Sequence, residues 1–570
     1  MLIGQEELYK QVLNFNNAIY VEAPAGCGKT HSCIKCVDIL SNNGKLKDFQ
    51  KVLILTFSKN ARAQILNELS KYNKTESIYK HIEISNYHSF YKKYLDKYRD
   101  LLGFKKEFTI VDDDEYKEQF GIPKRSKIAF GDYYKLLDKY YQSSDNQEIT
   151  DIKIIKNYNS CYNYSKETGV ITFNMFGILI NELFAKSPKL IELISHDFPY
   201  IFLDEYQDTD DLQENFLVGL FQYSKCIFFA DPIQMIYKFK GASEDRLTKL
   251  KEFFPSIIEI KFEENYRYKT KTDIVSILEN IRTGTNLSYA NLINGKVFDV
   301  KIKLDGPEEF RTKFGNNIHP SSIFYSILNA KIIDIALKKQ KSICILVRTN
   351  EMVNKLCLMF DENKYKCNEI SDSKYMLKLN IILKKFFNIT DKEEVINYAL
   401  QIFSLCKYNK RIEDVMFENI KELSFVQFMR KRKEEFVKLQ NVIKKYNLDI
   451  MTIPDKQKMI SQMINTISKE NKNYTAYNFV DNIVRLDCIS EKNIDNIYTQ
   501  KQYISSYTNI KPGLYVANYY QCKGREFDEV IVILDPQIED LEKNRNILYV
   551  THSRMKEKLF IGKYKFIGRK

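Results

Sequence analysis

Ala18-Ile-Tyr-Val-Glu22 followed by Ala23-Pro-Ala-Gly26-Cys27-Gly28-Lys29-Thr30 is the stretch whose reading decides the fold. The first five residues read as a short buried strand, the next as a glycine-rich turn, and the residues to about Leu40 as a helix. Strand, glycine turn and helix in that order are what a phosphate-binding loop requires. Glycines let backbone N–H groups turn inward around phosphate oxygens, and a helix N-terminus adds favourable dipole charge. Residues Ala23, Pro24, Ala25, Gly26, Cys27 and Gly28 would cradle the phosphates of a nucleotide. Lys29 would reach its β- and γ-phosphates, and Thr30 would hold Mg²⁺. Ala23 stands where such loops usually begin with glycine.

Working outward, strands and helices alternate. Lys51–Phe57 reads as a buried strand and Asn60–Leu69 as the helix after it. Tyr200–Asp204, Cys226–Ala230, Ser342–Val347 and Glu529–Leu534 are further apolar strands. This rhythm predicts an α/β protein of parallel sheets covered by helices. Leu203-Asp204-Glu205-Tyr206-Gln207-Asp208 puts acids at the end of a strand, beside the phosphate loop of the same sheet. There Asp204 would bind Mg²⁺ through water and Glu205 would take a proton from the attacking water. Two long stretches, about 92–171 and 372–511, break the rhythm and read as insertions, the latter mostly helical.

The chain has 570 residues, 44% of them apolar, enough for several cores. It carries no apolar run long enough to span a membrane, and its first residues do not resemble a secretory signal. The cysteines follow no repeating frame, which fits a reducing cytoplasm. Cys33-x-x-Cys36 falls on the helix after the phosphate loop and reads as two buried thiols. A net charge of +13 suits a polyanionic partner. Asp112–Glu115 reads as a solvated turn or helix start, and Arg430–Lys433 as a solvated helix face, with a hold on duplex phosphates as the alternative.

The phosphate loop and seven further motifs, in order across residues 23–554, give the chain a resemblance to superfamily 1 helicases of the UvrD/Rep/PcrA type. After the phosphate loop, Thr56-Phe57-Ser58-Lys59-Asn60-Ala61 is similar to T-F-T-N-K-A, and Asn86-Tyr87-His88-Ser89-Phe90 to T-x-H-S-F. Asp204–Asp208 resembles D-E-x-Q-D, Ala230–Tyr237 resembles G-D-x-x-Q-x-I-Y, and Glu264-Asn265-Tyr266-Arg267 the N-Y-R box. Cys522–Phe527 is similar to A-K-G-L-E-F, and Tyr549–Arg554 to Y-V-A-x-T-R.

The resemblance implies two RecA-like P-loop NTPase domains, each with a mainly helical insertion. They would comprise 1–91 with 172–262 (first sheet domain), 92–171 (its insertion), 263–371 with 512–570 (second) and 372–511 (its insertion). ATP would bind between the sheet domains. Gln5 would read adenine, Tyr266 stack on it, and Glu526 contact the ribose. Gln234, Arg267 and Arg554 would contact the γ-phosphate, the arginines as fingers supplied in cis from the second domain. Phe57, His88, Tyr237 and Phe239 match positions that touch single-stranded DNA, and base–aromatic stacking tolerates every sequence. Cleft closure on ATP would drive 3′ to 5′ stepping on single strands and at junctions with duplex.

Some residues depart from the family pattern. Phe239 replaces a Trp, and the chain has none. Asn518-Tyr519-Tyr520 replaces T-x-H, and Ala230 replaces a Gly. Short insertions make translocation a firmer expectation than processive unwinding. The chain ends shortly after Arg554, which leaves no room for a nuclease domain. Small relatives of this size resemble the helicase component of anti-phage systems such as Gabija. An alternative expectation is therefore an ATPase subunit that senses DNA ends or single strands and signals to a partner nuclease.

Overall fold

The computed structural model describes residues 2–57, 59–72, 77–111, 116, 149–238, 241–285, 287–303, 320–370, 374–407, 438–439, 441–447, 450–467, 474–486, 489–490, 493–494, 510–535 and 540–567. These divide into two compact units, Met1–Thr272 and Asp273–Lys570. Asp112–Glu115, Phe239 and Arg430–Lys433 lie outside the described residues.

The first unit is built on seven strands: β1 (Leu2–Ile3), β2 (Ala18–Glu22), β3 (Val52–Thr56), β4 (Ile82–Asn86), β7 (Tyr200–Leu203), β8 (Lys225–Ala230) and β9 (Ile258–Lys261). Their order is β1-β9-β2-β8-β7-β3-β4, and every pairing is parallel. Alternate side chains of one strand enter different cores. Ile19 and Val21 pack with Val52, Ile54, Phe202 and the helix Lys29–Asn42 through Cys33, Ile34, Val37 and Leu40. Tyr20, Leu53, Leu55 and Leu203 pack instead with Phe176, Phe216 and Leu220 of the helices Met175–Lys186 and Asp211–Phe221. Burial on both faces explains why these strands read as continuous apolar runs rather than alternating ones. β5 (Thr109–Val111) and β6 (Val170–Thr172), the latter closing the stretch 92–171, form a separate two-stranded parallel sheet.

The second unit holds a six-stranded parallel sheet: β10 (Gly295–Lys303), β11 (Ser342–Val347), β12 (Cys367–Ile370), β13 (Gly513–Asn518), β14 (Phe527–Leu534) and β15 (Met555–Ile567). The order is β10-β15-β14-β11-β13-β12. Between β12 and β13 the helices Lys374–Asn388, Lys392–Cys406, Ile453–Asn465 and Tyr474–Val484 pack into a cluster of their own around Leu383, Phe386, Ile460 and Phe479. Two parallel α/β sheets, one of them with a helical insertion, are thus the fold that the alternating pattern implied.

Candidate active site

The functional residues of the first unit leave the carboxyl ends of its parallel strands, where open α/β sheets bind ligands. After β2 the chain turns through Gly26 and Gly28, at φ +84° and +77°, and Gly28 caps the helix that opens with Lys29. A side chain could not follow this path cheaply. A Cβ on Gly26 would stand 2.6 Å from Asn265 Oδ1 and 2.8 Å from Arg267 Cβ. Gly26→Ala is therefore expected to cost about 2 kcal/mol of stability, from the left-handed backbone alone, and to raise the KM for nucleotide. Thermal melts beside ATP titrations check both.

The segment after β9 is clasped onto this loop. Asn265 Nδ2 donates to Ala25 O (2.8 Å), and the Tyr266 amide donates to Gly26 O (2.9 Å). Gln5 Nε2 donates to Cys27 O (2.8 Å) while its Oε1 accepts from the Tyr266 hydroxyl (2.6 Å). Gln5 and Tyr266, the two residues expected at adenine, therefore meet beside the loop, with Tyr266 half exposed. Arg267 lies in the first unit, with its guanidinium 5.7 Å from the Tyr268 ring centre. The segment continues directly from β9 and bonds the phosphate loop.

Behind the loop runs a chain of polar contacts. Lys29 Nζ donates to Glu205 Oε1 at 3.0 Å, and Gln207 Nε2 donates to Glu205 Oε2. Gln207 Oε1 accepts from the Asp231 amide (3.0 Å), and Gln234 Nε2 donates to Asp231 Oδ2 (2.8 Å). The loops after β2, β7 and β8 are thereby joined. Burial by itself would lower the Lys29 pKa, but the carboxylates of Glu205, Asp231 and Asp204 outweigh it and raise it. Lys29 stays charged. Glu205 sits at φ 55°, in the left-handed region that non-glycine residues seldom occupy. Such outliers persist where surrounding contacts hold them, and they cluster at functional sites.

Asp204, Glu205 and Asp231 bring three carboxylates to one ammonium, a surplus of negative charge with oxygen donors. Among the described residues no three His, Cys, Asp or Glu side chains form a metal cage. That combination fits Mg²⁺, which is held by one or two carboxylates plus substrate phosphates. Thr30, the second residue of its helix, is half-buried. The Cys33 and Cys36 thiols are buried and reduced, and burial pushes both pKa values up.

On the same edge, Phe57 and Tyr237 stack with ring centres 5.3 Å apart and planes 20° from parallel. Phe57 follows β3 and Tyr237 lies beyond β8, the two neighbours of β7 in the sheet. The pair therefore spans the strand that leads into Asp204 and Glu205. His88 is exposed in the first turn of the helix Tyr87–Tyr98, whose start Asn86 caps by accepting from the Ser89 amide (2.8 Å). It meets Phe173 edge-on at 6.0 Å, and Phe173 is 44% exposed.

In the second unit Arg554 is buried, with Nε donating to Val550 O (2.8 Å) and Nη2 bonding Ser553 Oγ (2.7 Å). Neighbouring His552 stacks on Tyr289, and its Nε2 lies 2.7 Å from the Tyr289 hydroxyl. Burial pulls its pKa down to about 4, so it is neutral at ordinary pH. Glu526 is half-buried in the turn before β14. Asn518 of the departing segment caps its own turn, its Oδ1 accepting from the Tyr520 (2.9 Å) and Gln521 (2.8 Å) amides.

Sequence reading passed over Gln207, Asp231, Asn265 and Phe173 as site residues. The first three stood inside quoted motifs, and polar residues at strand ends were the available signal. Phe173 had none, because its neighbour His88 is far away in sequence.

Residues 5–255 match the UvrD/REP helicase N-terminal domain family. Over 95% of its length the chain is 22% identical to the ATP-dependent DNA helicase PcrA of Staphylococcus aureus, covering 80% of that protein. It is 23% identical to a probable DNA helicase II homologue of Mycoplasma capricolum, over 98% of this chain and 84% of the other. It is also 23% identical to the ATP-dependent DNA helicase Rep of Buchnera aphidicola, over 96% and 92%. The UvrD/Rep/PcrA resemblance drawn from the motifs is borne out by these similarities.

Proposed function

We propose that this chain, which is similar to UvrD/Rep-type helicases over residues 5–255 and along most of its length, hydrolyses ATP to move 3′ to 5′ along single-stranded DNA and open duplex ahead of it. One observation carries the reading. The Phe57–Tyr237 stack spans the end of β7, beside the carboxylates that face Lys29. Nucleotide chemistry and a base-stacking platform thus share one sheet edge.

Each residue then has a chemical task. The backbone N–H groups of residues 25–30 and the Lys29 ammonium hold the phosphates. Lys29 now spends its charge on Glu205 Oε1. Phosphate competes for that ammonium, and its departure leaves Oε1 open to accept a proton from water. Gln207 keeps the carboxylate aimed through Oε2. Gln234, tied to Asp231, reports the γ-phosphate to the loop that carries Tyr237. Arg267 adds positive charge against the transferring phosphoryl group. Mg²⁺, held through Asp204 and Thr30, would neutralise charge on the β- and γ-phosphates. Gln5 and Tyr266 select the base.

Strand displacement on 3′-tailed and 5′-tailed duplexes, measured beside single-strand-stimulated ATP hydrolysis, tests the proposal. Displacement from the 3′ tail with stimulated hydrolysis is expected. Preference for the 5′ tail overturns the polarity. Hydrolysis without displacement from either tail overturns the unwinding role in favour of a signalling ATPase.

A further inference from the structure

The turn that carries Glu205 is anchored from behind by side chains that the hydrolytic chemistry does not use. Tyr206 is buried, edge-on to Phe228 at 4.7 Å. Its hydroxyl donates to Glu214 Oε1 (2.8 Å) and lies 3.0 Å from Oε2. Glu214 belongs to the helix Asp211–Phe221, whose start is closed by a capping box between Asp210 and Gln213. Arg246, also buried, straps the connecting residues. Its Nε donates to Thr209 O (3.0 Å), and its Nη2 to Asp211 Oδ1 (2.8 Å) and Gly241 O (3.3 Å).

The fourth member comes from another element. Tyr87 is buried, and its hydroxyl lies close to Thr209, within the field of Glu214, Asp210 and Arg246. Tyr87 immediately precedes His88 in the first turn of its helix. A group of buried polar side chains therefore lies between the residue beside His88 and the residue beside Glu205. Burial raises the Glu214 pKa against the opposing pull of Tyr206 and Arg246. Buried networks of this kind rigidify what they join while every member stays satisfied.

We propose that Tyr87, Tyr206, Glu214 and Arg246 are positioning residues that transmit DNA engagement at His88 to the strained backbone of Glu205, and so set how far DNA stimulates hydrolysis. The inference rests on the DNA-motor reading above. Its physical basis is that Glu205 holds a left-handed conformation that a side chain beyond glycine disfavours. A small displacement of Tyr87 and Thr209 is enough to change how firmly that conformation is imposed.

The experiment is steady-state ATP hydrolysis by the full chain with and without an oligo-dT strand, alongside oligo-dT binding by fluorescence anisotropy. Tyr206→Phe keeps the ring packing and removes one oxygen. It is expected to cut the fold-stimulation by DNA about tenfold, through kcat, with KM for ATP and Kd for oligo-dT within about twofold. Glu214→Ala should do the same, while Glu214→Gln, which keeps an acceptor for Tyr206, should recover most of the stimulation. Unchanged stimulation in Tyr206→Phe overturns the proposal. So does a loss equal in the presence and absence of DNA, or failure of Gln to outperform Ala at position 214. If the unsubstituted chain shows no DNA stimulation at all, the DNA-motor reading falls, and this inference with it.

Discussion

Glu205→Gln is expected to lower kcat for ATP hydrolysis about 10³-fold, within the range that a positioned general base contributes. The expectation follows from how the carboxylate is held. One oxygen accepts from Gln207 and the other from Lys29, so the side chain is oriented before any water arrives. Glutamine keeps its size and the left-handed backbone but cannot take up the water's proton. The loss should fall on kcat rather than KM, because the missing step belongs to the transition state. ATP affinity should hold or improve, since Lys29 no longer divides its charge between a carboxylate and the phosphates. Phosphate release at saturating ATP and equilibrium binding of a fluorescent ATP analogue separate the two effects. Hydrolysis within tenfold of the unsubstituted rate would reassign the base. Asp231 would then be the next candidate, since its carboxylate also acts on Lys29.

The same geometry shows what was legible in the residues and what was not. The phosphate loop was legible because its constraints are local: a strand, two glycines at positive φ, and a helix start. The acids after β7 were legible because a turn ending an apolar strand restricts where they point. Strands such as β4 and β15 were not. β4 is five residues long with a charged Glu83 near its start, and β15 interleaves Lys556, Lys558 and Lys563 with buried Leu559 and Ile561. Their pairing comes from neighbours supplied by distant chain. Gln207 was invisible as a bridge for a related reason. Its amide joins Glu205 to Asp231 only because β7 and β8 are adjacent, and strand order is a property of the crossovers.

Strand order also underlies the other large effect, the loss of DNA affinity when the Phe57–Tyr237 pair is removed. Stacking on an aromatic side chain is worth about 1–3 kcal/mol per base, and about 1.4 kcal/mol is tenfold in Kd. Phe57→Ala and Tyr237→Ala should each weaken oligo-dT binding about tenfold, and the double variant up to about a hundredfold. Their rings already contact one another, so the two losses are coupled and the double-mutant cycle reads how. If a base stacks on the outer face of the pair, each ring supports the other, and the single losses overlap. If a base enters between the rings, the first truncation already destroys the slot, and the second adds little. Additive losses would mean that the rings serve different bases. Truncating either ring leaves phosphate contacts intact, so the slope of log Kd against log salt should not change. Anisotropy titrations of oligo-dT and of a mixed-sequence strand at several salt concentrations measure all of this. A flattened salt slope, or a loss confined to one sequence, would remove these rings from the sequence-blind platform that a stepping motor needs.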